Sequence, residues 1–278
     1  MKRGGALRGS YIGVVMAFLY APIMVLIMFS FNASKSRALW TGFTLDWYRK
    51  MFTNEAILSA LGNTLIIAVI SAVFATVIGT LAAIGINAMG RMTRSLVLNL
   101  TYMPIINPEI VTGVSLMLLF VSWQKAVDFL SAHFGWSLSM EFGFVTLILA
   151  HITFSIPYVI LNVIPKLRQM NKFIYEAALD LGCSPVMAFV KVVIPEIMPG
   201  IVSGFLMAFT FSLDDFMISY FVSGPNFQTL PIQIYSMTRK KVSPEINALS
   251  TIIFLVVLAA LMLSNLADSK KERLKKSY

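Results

Sequence analysis

Charge is what this sequence has least of. Of 278 residues, 22 are Lys or Arg and 13 are Asp or Glu, 13% together, against about 25% in an ordinary soluble domain. The apolar share is 58%. So few charges cannot cover a soluble globule of this length, which excludes a soluble enzyme, a secreted scaffold and a disordered tail. Cysteine is nearly absent: Cys183 stands alone, so there is no intramolecular disulfide framework and no multi-cysteine metal site. The two histidines, His133 and His151, offer no credible catalytic cluster. No glycine is followed by lysine anywhere in the chain, so the G-x-x-x-x-G-K-[ST] phosphate loop is missing. ATP chemistry would have to come from a separate subunit. No cofactor is expected, nor any internal repeat or low-complexity segment.

Long apolar runs are what is there. A helix rises about 1.5 Å per residue, so about 20 apolar residues cross a hydrocarbon core. Six stretches qualify, at residues 11–31, 61–89, 96–122, 142–164, 197–222 and 248–267. Pro104, Asn107, Pro108 and Glu109 interrupt the third, which is expected to be broken or kinked. The first follows Lys2, Arg3 and Arg8 as a signal peptide would. Its apolar run is too long for that, and Phe31-Asn32-Ala33-Ser34 is a poor cleavage site, so it reads as a retained helix.

A net charge of +9 would suit nucleic acid, but the basic residues have a topological cause. Lys2, Arg3, Arg8, Arg91, Arg94, Lys166, Arg168, Lys172, Lys191 and the tail after Ala267 fall in alternate segments. The positive-inside rule places those segments, and both termini, in the cytoplasm. Fourteen basic residues fall inside and eight outside, the eight being Lys35, Arg37, Arg49, Lys50, Lys125, Arg239, Lys240 and Lys241. The expected fold is therefore an all-α integral membrane protein of six helices, one domain over residues 1–278, with no nucleic-acid partner. Trp40, Trp47 and Tyr48 in the first outer segment read as interfacial anchors or as contacts to an external partner.

The inner segment at 165–196 carries the most information. Glu176-Ala177-Ala178-Leu179 are strong helix formers, and Gly182 can stop that helix in a left-handed cap. Ser184 then Pro185 reads as N-cap followed by first helical residue. A second short helix over 186–193 is expected to end at Pro195. Two readings of the pair stand: a rigid knob that docks into a cleft of another protein, or an interfacial pair with Phe173, Ala177, Leu181 and Phe189 facing lipid.

Glu176-Ala177-Ala178, then Gly182 after three residues, then Val192, Val193 and Ile194-Pro195 after nine more, resembles the cytoplasmic loop of bacterial ABC importer permeases. That loop reads Glu-Ala-Ala, three residues, Gly, nine residues, Ile, one residue, Leu-Pro. The departures are Val for Ile and Ile for Leu. The resemblance implies the type I importer permease fold in the bacterial inner membrane, with residues 165–196 as the coupling loop. It implies that Glu176, Ala177, Ala178, Gly182 and Pro195 sit in a groove of an ATP-hydrolysing subunit.

Three acids fall in or beside apolar spans: Glu109, Asp214 and Asp215. A carboxylate at mid-bilayer costs about 2.5–3.5 kcal/mol, so each is a candidate for a substrate path. Glu109 follows Pro108 and equally suits the positive end of a half-helix. Asp214 and Asp215 are adjacent, about 100° apart on a helix, so only one aims squarely at a central path. A hydrogen-bonded helix contact is the other reading for the pair. Phe209, Phe211, Phe216, Tyr220 and Phe221 crowd the same helix, and aromatic faces with carboxylates suit ammonium groups. His151, with Thr153 and Ser155 nearby, is either a packing residue or a proton relay.

The run Phe209-Thr210-Phe211-Ser212-Leu213-Asp214-Asp215-Phe216 is similar to the spermidine/putrescine permeases, in particular to the second permease of such systems. Phe221 to Pro225, Val242 to Leu249, Ala150 to Phe154, Tyr20-Ala21-Pro22 and Phe29 to Asn32 carry the same likeness, and Pro108 to Val111 does so with one departure, Glu109 where these permeases often have Asp. It implies a permease of an ATP-driven polyamine importer, itself not an enzyme. The implied partners are two ATP-binding subunits, a second homologous permease and an extracytoplasmic polyamine-binding protein. The rivals are an importer of the same type for iron or thiamine, and a stand-alone secondary transporter.

Overall fold

In lipid each backbone N–H and C=O must find its partner inside its own segment, so the apolar runs fold as helices. The computed structural model describes residues 3–35, 39–134, 141–240 and 244–275. In chain order the helices are α1 (Arg3–Ser30), α2 (Asp46–Thr53), α3 (Glu55–Ala88), α4 (Arg91–Ile106), α5 (Glu109–Phe134), α6 (Phe144–Gln169), α7 (Lys172–Asp180), α8 (Pro185–Ala188), α9 (Ile194–Asp214), α10 (Met217–Val222), α11 (Leu230–Lys240) and α12 (Pro244–Lys275). A π-helical turn, Phe189–Val193, joins α8 to α9. Among the described residues there is no strand, only an isolated bridge between Asn32 and Phe43.

Five described segments are long and apolar enough to cross a membrane: Gly9–Ser30, Glu55–Ala88, Glu109–His133, Phe144–Gln169 and Pro185–Asp214. The sixth expected span falls in α12, whose described apolar stretch is Pro244–Val256. Phe18, Leu81, Leu118 and Leu206 are all more than half exposed. Such rings and branches on all sides of long helices fit lipid or other helices, not water.

The helices form two units, the described parts of Met1–Leu58 with Ile234–Tyr278, and Ser59–Gln233. In the first unit, α1 and α2 pack along α12. Asn32, 1% exposed, organises the turn after α1. Its Nδ2 donates to the Leu39 carbonyl, and its Oδ1 accepts from the Ser34 and Thr41 amides. Trp47 is buried, and its Nε1 donates to the Asn32 carbonyl at 2.7 Å. Tyr48 Oη lies 2.7 Å from Ser30 Oγ. These two rings therefore brace the turn and do not anchor an interface, because each polar end is committed inside the protein. Trp40 alone of the three stays half exposed.

In the second unit, α6 runs against both α3 and α9. A Cβ on Gly79 would lie 2.7 Å from Val159 Cβ, and one on Gly204 would lie 3.1 Å from Val159 Cα. Gly200, Gly204, Ala208 and Ser212 recur every fourth residue on the buried face of α9. Lipid tails are as apolar as Val or Leu, so burial alone does not pull these helices together. Close backbone approach across small residues does, through dispersion contacts. A second cluster, with Ile67, Leu116, Phe120, Leu147, Ile218 and Val222, holds α10 against α5 and α6.

Two spans are broken. The third, expected at 96–122, is split as expected, but its membrane-length part lies further along, at Glu109–His133. The helix runs through Pro104 and stops at Asn107, which Pro108 forces to extended backbone (φ −67°, ψ 140°). The fifth was expected as one helix to residue 222, but it ends at Asp214. Asp215 is extended (φ −61°, ψ 120°) and the chain restarts as α10. The cause is local. The Asp215 carboxylate accepts the Ile218 amide at 3.2 Å and the Ser219 amide at 2.7 Å, capping α10 in place of continuing α9.

The inner segment follows its sequence up to one point. Gly182 has φ +85°, and its amide and that of Cys183 donate to the Leu179 and Ala178 carbonyls, a Schellman cap. Ser184 Oγ accepts the Met187 amide and Pro185 is the first residue of α8. Pro195 does not end the second helix. It lies in the first turn of α9, directly after the π turn, where a missing N–H costs least. The short helix is thus continuous with the membrane span.

Candidate functional site

Breaking α4 from α5 and α9 from α10 brings four helix ends to one place. A pocket of about 180 Å³ opens there, lined by Pro104, Glu109, Thr112, Phe154, Tyr158, Phe211, Asp214, Asp215 and Ile218. The three acids singled out in the sequence all reach it, although more than 100 residues separate Glu109 from the pair. No basic residue lines it. The Tyr158 and Phe211 rings stand 4.4 Å apart at its wall. Of the aromatics noted on the fifth span, Phe211 alone reaches the pocket. Phe209 stacks on Phe205, Phe221 lies against the Gly113 backbone, and Phe216 sits beside Tyr220. Phe154 and Tyr158, from α6, complete the wall. Their spacing of four residues put them on one helical face, and that was the available signal.

The acids differ in their helix ends. Glu109 is the first residue of α5 and Asp215 caps α10, so each meets a positive helix end that offsets its charge. Asp214 is the last residue of α9. There the free carbonyls carry the negative end of the helix, so nothing local offsets its charge. Glu109 thus stands at a helix end and in the pocket wall at once. For the aspartates, Asp214 is exposed while Asp215 is buried and tied down.

A buried polar network holds the break open. His151 is 1% exposed. Its Nδ1 lies 2.6 Å from Ser212 Oγ, its Nε2 3.0 Å from Ser219 Oγ and 3.5 Å from Asp215 Oδ2. Ser212 Oγ continues to Ser71 Oγ of α3 at 3.1 Å. His151 therefore bridges the end of α9 and the start of α10, a structural brace. Thr153 bonds back to its own helix at the Leu149 carbonyl.

The second group of predicted residues lies around the α7–α8 corner and the start of α9. Glu176 and Ala177 are exposed on α7, while Ala178 turns inward. Leu181 at 86%, Phe173 at 73% and Val186 at 73% are bare apolar side chains around the corner. Pro195 is exposed at the base of α9.

Residues 75–270 match the family described as binding-protein-dependent transport system inner membrane component. The chain is 42% identical over 239 residues to the putrescine transport system permease protein PotI of Escherichia coli (strain K12), covering 85% of this chain and 81% of that one. It is 36% identical over 270 residues to the spermidine/putrescine transport system permease protein PotC of the same strain, covering 97% of each. Its fold is similar to that of a bacterial alginate ABC transporter, solved in complex with an alginate pentasaccharide-bound periplasmic protein. The TM-score is 0.71 at 18% identity, over 94% of this chain and 93% of that one.

Proposed function

The chain belongs to the inner membrane component family of binding-protein-dependent transport systems, and on that premise we propose that it is the permease subunit of an ATP-driven importer of polyamines such as spermidine and putrescine. The observation that carries the solute is the pocket: three carboxylates, aromatic walls and no basic lining residue. Such a site attracts protonated amines through charge and cation–π terms and repels anions. The permeases PotI and PotC, to which the chain is similar, support the same solute.

On this reading residues 1–278 are one permease domain of six spans, multi-pass in the bacterial inner membrane, with both termini in the cytoplasm. Residues 165–196 form the coupling loop. A second homologous permease completes the path, two ATP-binding subunits sit inside and a polyamine-binding protein docks outside. ATP binding moves Glu176, Ala177, Ala178, Gly182 and Pro195 with the ATPase. The spans rock, and Asp214, Asp215 and Glu109 pass the cation inward as weak stepping points. On this reading the subunit itself does no catalysis, and hydrolysis belongs to the partner.

The test is uptake of labelled spermidine and putrescine in cells without their own importer, supplied with the operon that holds this chain. Saturable uptake that needs the operon's ATPase is expected. An assembled complex that moves no polyamine would remove the solute assignment and leave the family. Orientation has a separate check, because Cys183 is the single cysteine and is partly exposed. A membrane-impermeant maleimide is expected to leave it unlabelled in intact cells and to label it in inverted vesicles. Labelling from outside would reverse the topology.

A further inference from the structure

Two adjoining hollows, distinct from the acidic pocket, lie where the start of α4 meets the end of α6. One, of about 360 Å³, is lined by Arg91, Arg94, Ser95, Leu98 and Arg168. The other, of about 350 Å³, is lined by Leu98, Tyr102, Leu161, Ile164, Pro165, Arg168 and Gln169. They share Leu98 and Arg168. No acid lines either one. Among the described residues none of the three arginines makes an ion pair. At the start of α4, Gly90 holds the N-cap position and makes no side-chain cap bond. Guanidinium forks and a serine hydroxyl together suit a phosphate group.

The second hollow continues the first along the helices. At 1.5 Å per residue, Leu98 lies about 10 Å beyond Arg91, and Tyr102 about 16 Å beyond it. Ile164 and Leu161 sit about 6 and 10 Å back from Arg168 along α6. The lining thus passes from charged to apolar with depth, over the distance in which a membrane passes from headgroups to acyl chains. A soluble anion uses only the charged end; a lipid uses both.

We propose that this groove binds an anionic phospholipid, its phosphate on Arg91, Arg94 and Arg168 and one acyl chain along Leu98, Tyr102, Leu161 and Ile164. The site requires only that these helix ends lie at a membrane interface, so it stands or falls apart from the solute reading. Bound lipid would wedge α4 to α6, next to the α4–α5 break that shapes the acidic pocket.

The test purifies the full chain with whatever subunits accompany it and counts retained lipid by native mass spectrometry during titration with phosphatidylglycerol or phosphatidylcholine. Wild type is expected to keep phosphatidylglycerol selectively. In R91Q/R94Q/R168Q its affinity is expected to fall on the order of 100-fold, from about fivefold per arginine, with phosphatidylcholine unchanged. Leu98→Trp, which fills the shared wall and keeps every charge, is expected to weaken phosphatidylglycerol at least fivefold. Equal retention by wild type and both variants overturns the site. Displacement of the lipid by 10-fold excess inorganic phosphate shows a free-anion site and overturns the lipid assignment. Loss of an accompanying ATP-binding subunit from the triple variant, with lipid count unchanged, gives the arginines to a protein partner and overturns it too.

Discussion

Glu176→Lys is expected to cut polyamine uptake by tenfold or more without lowering the amount of this chain in the membrane. Glu176 is exposed on α7 and makes no hydrogen bond or ion pair within the described chain. Reversing its charge therefore removes nothing that holds the fold, and surface changes of this kind usually stay within about 0.5 kcal/mol. What it alters is the face that α7 offers, rimmed by Phe173, Leu181 and Val186. A companion variant tests the corner itself. Gly182 adopts φ +85° with nothing within 4 Å of a would-be Cβ, so the cost of a side chain there is backbone strain and not collision. That cost is about 1–2 kcal/mol for a substituted residue, and larger for a β-branched one. Gly182→Ala should be tolerated in part and Gly182→Val should lose uptake as fully as Glu176→Lys. The measurement pairs uptake with co-purification of the ATP-binding subunit. If both variants keep normal uptake and normal co-purification, this knob is not where the ATPase docks.

That corner was legible in the sequence because each of its parts is a local rule. A glycine ends a helix, a serine and a proline start the next, and three residues decide it. The spans were legible for the same reason, as runs of apolar residues. The fifth span's break was not. Its cause is the Asp215 side chain competing for the Ile218 and Ser219 amides, held by His151 from another helix. No periodicity within 197–222 announces a partner 60 residues away. Pro195 misled in the opposite sense. A proline normally ends the helix before it, but the π turn ahead of it lets the same proline open the next one. Trp47 likewise looked like an interfacial ring, and only the fold supplies the Asn32 carbonyl that buries it. As for the pocket, the three acids were found one at a time because a charge in an apolar run is conspicuous. Tyr158 and Phe154 were not counted with them, since an aromatic in an apolar run is not.

The largest effect on transport itself is expected from Asp214→Asn combined with Glu109→Gln. Both carboxylates are exposed to the pocket, so neutralising them leaves the packing alone. At an effective dielectric near 20, a pair of opposite charges about 4 Å apart gains about 4 kcal/mol. Solvent access to an open pocket screens much of that, leaving on the order of tenfold per carboxylate and roughly 100-fold for the pair. The two singles should be unequal. Glu109 sits at the positive end of α5, which offsets part of its pull on a cation. Asp214 sits at the negative end of α9, whose free carbonyls add to its pull. Asp214→Asn should therefore weaken uptake more than Glu109→Gln. Asp215 should behave differently in kind. Its oxygens cap α10 and face His151, and removing a capping carboxylate costs about 0.5–2 kcal/mol. Asp215→Ala should lower the folded amount in the membrane, and Asp215→Asn, which keeps one accepting oxygen, should restore much of it. Uptake rate normalised to membrane level separates the two behaviours. Equal uptake by wild type and the Asp214–Glu109 double variant would mean the cation does not pass these groups, whatever solute the importer carries. A double variant that fails only through loss of protein would show instead that Asp214 and Glu109 serve the broken helices.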